Sequence, residues 1–369
     1  MVLQDERWHD EYRWLVVLLA VTITAVGAAY WMGAAVGVPV GSVLFGYATI
    51  LWLMIPPIIV IAMMPWGLRA LLLRVDKPWA DFKPIIRERF GSPALACGTI
   101  APILLMPMLI GAFGCLKQIL PLTREFTWDD RFAELDRLLF FGTQPWQVTH
   151  AIFGSPMATL IIDRIYSGWV ALLFVAVLAA AMLAPLHTRA RFFLSFGFGW
   201  LLIGVVGAFV FASAGPCYTH AIGALAAPDY APLMERLKAI HRSGTILNAV
   251  DWQEQLWRAH VTQQYGFAKG VSAMPSMHNA IAFLYVLTVR NASLVTRTFA
   301  GAFAAAILIG SVHLGWHYLV DGLFAWAAMA ALWWAAGAYL KRVGYEQIVN
   351  KGEANKDTDL EPAGMPAPA

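Results

Sequence analysis

The chain has 369 residues, and its 26 Lys and Arg and 23 Asp and Glu residues together make only 13% of it. A soluble domain holds about 25% charged residues, so an ordinary soluble protein is excluded. With 59% hydrophobic residues, the chain has more apolar surface than a globule of this size can keep from water. The net charge is only +3, and no basic run alternates with aromatic residues, so nucleic acid is not an expected partner.

Eight apolar stretches are long enough, or nearly long enough, to cross a bilayer, which requires about 20 helical residues. They predict an all-α fold, a polytopic transmembrane helical bundle that forms one membrane domain. The sixth and seventh stretches are short, so the predicted number is about eight. The stretches are residues 14–36, 44–64, 94–115, 168–184, 192–214, 277–293, 298–313 and 317–340.

The basic residues predict the orientation of this bundle. With a cytoplasmic N-terminus, the cytoplasmic segments hold 16 of the 26 Lys and Arg residues, as the positive-inside rule requires. Both termini are then expected on the cytoplasmic side of a plasma membrane (the inner membrane in bacteria) or an endomembrane. The acidic start does not resemble a signal peptide, so the first span is expected to stay as an anchor. The tail 351–369 is expected to be disordered.

Two long loops, residues 116–167 and 215–276, face the non-cytoplasmic side in this topology. Both are rich in aromatic and amphipathic stretches, which suit the membrane interface. Interfacial packing is one interpretation of these loops, and a lid or vestibule for a lipid substrate is the other.

His317 and Asp321 carry the strongest chemical signal. They are four residues apart, so on a helix the carboxylate can hold one imidazole nitrogen while the other acts as nucleophile or base. Ionisable groups at the mouth of an apolar helix are costly, which favours a functional site. The alternative is a structural pair at the helix end, with His313 capping or packing.

A second element, residues 273–279, directly precedes the sixth span. Pro275 suits a helix start, Ser276 can offer its hydroxyl and amide at the positive end of the helix, and His278 lies within the first turn. This arrangement suits an anion such as phosphate. The alternative is a plain helix N-terminus with an incidental histidine.

A third element, Lys117 and Arg124, follows the third span. Two such cations can clamp phosphate oxygens, or they can simply be solvated or bound to lipid headgroups. In the predicted topology all three elements lie on the same outer side. Two histidines, a carboxylate, a helix N-terminus and two cations are the groups that phosphoryl transfer without a metal requires.

The sequence predicts no cofactor and no metal site, because Cys97, Cys115 and Cys217 lack metal-ligand spacing and no carboxylate cluster is present. Cys115 and Cys217 can pair only if both face an oxidising compartment. The expected partners are a lipid phosphoester, a hydroxyl acceptor or water, and membrane lipids. No particular oligomeric state is predicted.

The three elements resemble, in order and spacing, the motifs of the type 2 phosphatidic acid phosphatase superfamily. Further stretches look like the branch that contains inositol phosphorylceramide synthase, and the resemblance covers about residues 115–325. These stretches are residues 126–130, 135–137, 141–142, 145–146 and 213–218.

The resemblance implies a role for each motif residue. His317 would attack phosphorus and form a phosphohistidine, with Asp321 orienting it. His278 would protonate the leaving alkoxide and then act as base on the acceptor. The phosphate oxygens would be held by Lys117, Arg124 and Ser276. The neighbouring Asp129, Asp136 and Arg137 receive no chemical role.

Three departures from the superfamily pattern stand out. Met277 replaces the usual glycine, and Glu125 replaces the usual proline. Ser311 stands where the superfamily has an arginine six positions before the nucleophilic histidine. A protonated His313 is one candidate for the missing phosphate clamp.

The sequence therefore predicts a lipid phosphotransferase in which residues 93–342 form the catalytic membrane domain, residues 1–92 a two-span segment with a basic loop, and residues 343–369 a cytoplasmic tail. A lipid phosphate phosphatase with water as acceptor is the alternative at the same site. A lipid flippase or transporter is the alternative of another class, because polar residues in helices also mark permeation paths.

Overall fold

The structure is a computed structural model, and it describes residues 2–73, 80 and 82–345. Within these residues every regular element is a helix, so the predicted all-α polytopic class is confirmed. The predicted disordered tail lies outside the described residues, as does part of the predicted basic loop at 65–92.

Fifteen α-helices are described, and a π-helical segment, Gly199–Gly207, continues one of them. The helices are α1 (Val2–Val36), α2 (Val40–Leu72), α3 (Phe82–Phe90), α4 (Pro93–Thr123), α5 (Asp129–Leu139), α6 (Pro145–Ile152), α7 (Pro156–Ser167), α8 (Trp169–Met182), α9 (Leu186–Phe198), α10 (Ala208–Val210), α11 (Ala227–Arg242), α12 (Asn248–Val261), α13 (Met277–Thr288), α14 (Leu294–His313) and α15 (Leu319–Arg342).

Seven of the described segments are long and apolar enough to cross a membrane, against the predicted number of about eight. They are Glu11–Val36, Val40–Pro57, Pro93–Thr123, Pro156–Met182, Leu186–Val210, Leu294–His313 and Leu319–Arg342. The remaining predicted span, at 277–293, is the 12-residue helix α13. At 1.5 Å per residue this helix is about 18 Å long, so it falls short of the length that the other seven segments reach.

The helix α4 runs through the middle of the bundle. In its most apolar stretch 61% of the residues are buried, against 28% for α1 and 33% for α15. Glycines allow its close contact with α2: a Cβ at Gly114 would overlap the Tyr47 ring, and one at Gly111 would lie 3.1 Å from the Tyr47 Cβ. The C-terminal end of α4, which carries Lys117, is therefore held firmly by α2.

A buried network joins both ends of the described chain on one side of the bundle. The carboxylate of Glu11 accepts hydrogen bonds from Arg189 at 2.6 Å, Trp14 at 2.9 Å and Tyr345 at 3.1 Å. The helix α15 is 24 residues, about 36 Å, long. His317, just before α15, therefore lies at the opposite end from Tyr345; we call this opposite end the site end.

Most of the two predicted loops folds into short helices that cover the site end. The predicted bounds of the first loop were too wide, because residues 116–123 belong to α4 and α7 is part of the segment Pro156–Met182. We call α5, α6, α11 and α12 the cap helices. The helix α5 is amphipathic: it buries Asp129, Phe132 and Asp136, whereas Leu138 is 65% exposed. Phe141, two residues after the end of α5, is 99% exposed. The exposed apolar side chains suit a membrane interface, while the opposite face of α5 contacts the segment that carries His317.

Candidate active site

The His317–Asp321 pair lies where α14 ends and α15 begins. Gly315, with φ +72°, allows the tight turn between the two helices. Asp321 lies in the first turn of α15, and its Oδ2 accepts a hydrogen bond of 3.2 Å from the N–H of Tyr318. The same oxygen is 3.3 Å from Nδ1 of His317. Asp321 thus orients the imidazole through Nδ1, and Nε2 is the nitrogen that this carboxylate does not hold.

His278 faces His317 from the first turn of α13. The two imidazole ring centroids are 6.4 Å apart. The ring of His278 stacks on Tyr166, with centroids 4.7 Å apart and an interplanar angle of 14°, and it also contacts Trp169 at 4.2 Å. Two aromatic side chains of the α7–α8 span therefore fix the position of His278.

Ser276 is the N-cap of α13. Its Oγ accepts hydrogen bonds from the backbone N–H of Asn279 at 3.4 Å and from its side-chain amide at 3.0 Å. The N–H of Ser276 donates to the carbonyl of Asp321 at 3.4 Å. The element at 273–279 and the His317–Asp321 pair are thus joined directly.

Lys117 lies near the end of α4, under the segment 262–271. A Cβ on Gly270 would lie 3.0 Å from the backbone carbonyl carbon of Lys117. Gln118 ties this segment down, because its side chain accepts a hydrogen bond of 2.9 Å from the N–H of Gly266 and donates one of 3.0 Å to the carbonyl of the same residue. The ammonium of Lys117 is near enough to act electrostatically on His317.

Arg124 directly follows the last residue of α4, seven positions after Lys117. Its side chain is exposed, and it forms no hydrogen bond or ion pair with any residue that the structure describes. The structure therefore brings Lys117 to the two histidines and leaves the guanidinium of Arg124 at the surface.

The ring of His313 contacts threonines and another histidine, not His278 or His317. One ring nitrogen lies 3.0 Å from the hydroxyl of Thr159 and the other 3.2 Å from that of Thr149. Its ring stacks on His150, with centroids 3.9 Å apart. Because both nitrogens are engaged by threonines, the structure does not bring His313 into the group formed by His278 and His317.

Asp129 and Asp136, which sequence reasoning left without a role, bind the segment around His317. Asp136 accepts hydrogen bonds from the N–H groups of Leu319 at 2.7 Å and Val320 at 3.0 Å, at the start of α15. Asp129 accepts one of 2.9 Å from the Tyr318 hydroxyl. The two aspartates are seven residues apart, two helical turns, and therefore lie on one face of α5. This seven-residue spacing is the sequence feature from which a shared role of the two aspartates could have been predicted.

Asp129 also binds the loop that follows α10. Its carboxylate accepts hydrogen bonds from the hydroxyl of Ser213 at 3.0 Å and from the N–H of Gly215 at 2.8 Å. The carbonyl of Ser213 in turn accepts a hydrogen bond of 2.9 Å from the N–H of Ala273, just before Ser276. Gly215 has φ +100°, and a Cβ there would lie 2.8 Å from the carbonyl oxygen of Trp316. This loop therefore links both histidine-bearing segments.

Two of the residues that depart from the superfamily pattern, Met277 and Ser311, make specific contacts in the structure. Met277 packs on the π-helical segment, where a Cβ on Gly204 would lie 3.1 Å from its sulfur. Ser311 is fully buried; its hydroxyl donates to the carbonyl of Leu308 at 2.8 Å and accepts from the amide of Asn279 at 3.2 Å. Ser311 thus supports the packing of α13 on α14.

Burial and nearby charge shift the titration of several groups. Burial, together with His278 and Lys117, holds the pKa of His317 well below its ordinary value of 6.5. Burial raises the pKa of Asp136 to about 7, against the opposing effect of its two backbone hydrogen bonds. His317 is therefore neutral at physiological pH, the form in which an imidazole is nucleophilic.

The described residues contain no group of three or more His, Cys, Asp or Glu side chains arranged to hold a metal ion. Cys97, Cys115 and Cys217 are all free thiols.

The family model described as the PAP2 superfamily matches residues 130–335, more than half of the chain. The chain belongs to the PAP2 superfamily. The match includes Ser276, His278, His317 and Asp321, and it begins after Arg124. No curated protein and no solved structure matches the chain. Membership supports an activity of the lipid phosphatase or phosphotransferase type on lipid phosphoesters in the membrane.

Proposed function

We propose that this PAP2 protein is a lipid phosphotransferase that cleaves a lipid phosphoester through a phosphohistidine on His317. The observation that carries the proposal is the pairing of His317 with Asp321 at 3.3 Å while the ring of His278 lies 6.4 Å away. One histidine is thus oriented by a carboxylate, and the second is near enough to reach the oxygens of a phosphate held between them.

In the first step Nε2 of His317 attacks phosphorus and the bond from phosphorus to the leaving lipid oxygen breaks. His278 gives its proton to that oxygen. The negative charge of the entering phosphate favours the protonated form of a neighbouring imidazole, so substrate binding prepares His278 as the acid. Lys117 and Ser276 offer N–H and O–H groups to the phosphate oxygens, and Arg124 can approach the headgroup from the surface.

In the second step the acceptor hydroxyl attacks phosphorus, its proton passes to His278, and the bond from phosphorus to Nε2 breaks. Transfer to a hydroxyl is favoured over hydrolysis because His317 is only 8% exposed and lies beneath the cap helices. Restricted access of water leaves a bound alcohol as the better placed acceptor. His313 is left out of this mechanism because both its nitrogens contact threonines.

The test is to trap the intermediate. Wild-type protein in lipid vesicles is mixed with a phospholipid labelled at phosphorus and quenched in alkali, in which a phosphohistidine survives. We expect label on His317 and none on the His317→Asn variant. The control is His220→Asn, which changes an exposed histidine and should retain the label. Turnover by folded His317→Asn at a near-normal rate contradicts the proposal.

The same vesicles distinguish the acceptors. Transfer predicts a new labelled lipid when candidate alcohols are supplied. Release of labelled free phosphate alone identifies a phosphatase, and movement of unchanged lipid across the bilayer identifies a flippase.

We further propose that the site faces the non-cytoplasmic side. The support is that His317 lies at the end of the bundle opposite Glu11 and Tyr345, and that the distribution of Lys and Arg residues predicts a cytoplasmic position for both chain ends. A membrane-impermeant thiol reagent tests this on a cysteine placed at Phe141. Labelling from the cytoplasmic side contradicts it.

A further inference from the structure

The site contains less positive charge than the PAP2 pattern implies. Ser311 occupies the position of the expected arginine, and its short side chain is engaged with Leu308 and Asn279. A phosphate bound between His278 and His317 therefore needs another donor for its oxygens on this side of the site.

Tyr166, in the last turn of α7, occupies the space beside this position. A Cβ on Gly310, the residue before Ser311, would lie 3.1 Å from the Tyr166 ring. The other contacts of the ring are with the active site: it stacks on His278 at 4.7 Å and is parallel to Trp316 at 6.5 Å. Tyr166 thus lies between the Ser311 turn of α14 and the general acid.

The hydroxyl of Tyr166 is buried and unused. The residue is only 4% exposed, and its hydroxyl has no hydrogen-bond partner among the described residues. An unpaired buried hydroxyl costs about 1–3 kcal/mol, so the hydroxyl of Tyr166, beside two histidines, calls for an explanation. The hydroxyl is also near enough to interact electrostatically with Asp321, the partner of His317.

Two indole N–H groups beside Tyr166 are likewise buried without a hydrogen-bond partner among the described residues. Trp169 contacts His278 at 4.2 Å, Trp316 precedes His317, and the indole nitrogen of each is buried without a partner among the described residues. Three side chains that pack on His278 or directly precede His317 thus carry a donor without an acceptor among the described residues, as a site preorganised for anionic oxygens requires.

We propose that the hydroxyl of Tyr166 donates a hydrogen bond to a non-bridging oxygen of the substrate phosphate, with the indole N–H groups of Trp169 and Trp316 as neighbouring donors. This inference rests on the proposed function. Neutral donors then take the place of a guanidinium, and Tyr166 is a substrate-contacting residue outside the three sequence elements.

The decisive variant is Tyr166→Phe, which removes the hydroxyl and keeps the ring on His278. The matched control is Tyr285→Phe. Tyr285 lies on α13, two helical turns after His278, and its ring packs on Phe303. Its hydroxyl is also buried without a partner among the described residues. Each variant is assayed in vesicles for lipid turnover and for binding of orthovanadate, a phosphate mimic, and thermal unfolding in detergent confirms that each is folded.

A hydrogen bond to a charged group predicts a loss of about 10- to 100-fold in both kcat/KM and orthovanadate affinity for Tyr166→Phe. Tyr285→Phe should stay within about twofold of wild type in both measurements. Trp316→Phe, which removes one indole N–H, should lose about 2- to 10-fold.

Wild-type turnover by Tyr166→Phe overturns the inference. So does a loss of turnover with unchanged orthovanadate affinity, which assigns Tyr166 to orienting His278 alone. Failure of the proposed function is a separate result, because it appears as activity in His317→Asn whatever Tyr166→Phe does.

Discussion

Gly270 lies directly on the backbone of Lys117, and a Cβ added to Gly270 would lie 3.0 Å from the carbonyl carbon of Lys117. Gly270 also has φ +115°, a conformation that other residues adopt only with strain. The change Gly270→Ala should therefore displace Lys117 or the segment 262–271 and lower turnover by about 10- to 100-fold, as small misplacements of catalytic groups do.

The control for Gly270→Ala is Gly244→Ala. Gly244 has a similar φ of +101°, but no atom lies within 4 Å of its added Cβ. The control carries the same backbone strain without the collision, so it should lower thermal stability and leave turnover nearly unchanged. Equal losses of turnover in both variants would assign the effect to strain and contradict the role of the contact.

Tyr47 connects α2, which lies outside the PAP2 match, to the same segment. Its hydroxyl accepts a hydrogen bond of 2.9 Å from the N–H of Ala268, and its ring packs on Phe267 at 4.8 Å. Tyr47→Phe should lower stability by about 1 kcal/mol and speed hydrogen exchange at Ala268. Tyr12→Phe, which changes a tyrosine that is 60% exposed, serves as the control. Unchanged exchange at Ala268 in Tyr47→Phe would show that this hydrogen bond does not secure the segment.

Asp136 predicts a pH dependence of stability. Burial raises its pKa from 3.8 to about 7, so the folded protein keeps a proton that the unfolded chain releases. The contribution of Asp136 to stability is therefore greatest below about pH 4 and falls as the pH rises through 7. Asp136→Asn should remove this part of the pH dependence. The difference in unfolding free energy between the variant and wild type should therefore change with pH only between about pH 4 and pH 7. A constant difference over that range contradicts the assignment.

The two cations Lys117 and Arg124 of the third sequence element should differ in importance. Lys117 lies near His317, whereas Arg124 is exposed at the end of α4. Lys117→Met keeps the length of the side chain and should lower kcat/KM by about 100-fold or more, the effect of removing a charged donor from a transition state. Arg124→Met should cost less than about 10-fold, because exposed ion pairs contribute about 1 kcal/mol or less. Steady-state kinetics of both variants in lipid vesicles measure the two losses of kcat/KM. A larger loss for Arg124→Met than for Lys117→Met contradicts the prediction.

The low charge of the site also predicts a preference among substrates. A phosphodiester carries one negative charge, whereas a phosphomonoester carries about 1.5 to 2 near neutral pH. With Ser311 in place of a guanidinium, the positive charge near His317 matches the diester better. We expect kcat/KM for a phosphodiester lipid to exceed that for a monoester with the same acyl chains by about tenfold, since each 1.4 kcal/mol of differential binding gives that factor. Preferred turnover of the monoester contradicts this expectation.

The sequence alone predicted those features of the site that depend on residues close together in the chain. The contact of His317 with Asp321 follows from four residues on a helix, and the N-cap position of Ser276 follows from its place before an apolar run. The role of Asp136 depends on α5 folding back over α15, across a sequence separation that period and propensity do not encode. Tyr166 is hidden for another reason: an aromatic residue at the end of an apolar helix is also what a membrane interface favours.

The predicted span at 277–293 was too long. Its apolar residues end at Val289, before Arg290 and Asn291, and the helix ends at Thr288, after which a turn leads into α14. Hydropathy measures how apolar a stretch is, whereas packing against neighbouring helices decides where its helix ends.

The bond between Glu11 and Tyr345 has a consequence for biosynthesis. Proteins are made from the N-terminus, so Glu11 enters the membrane region long before Arg189 and longer still before Tyr345 has been translated. Until then its carboxylate lacks the partners that the finished bundle supplies, and the first helix cannot reach its final packing. Completion of the bundle therefore waits for the last helix, and a chain that stops before Tyr345 leaves the buried carboxylate of Glu11 with Arg189 and Trp14 as its remaining partners.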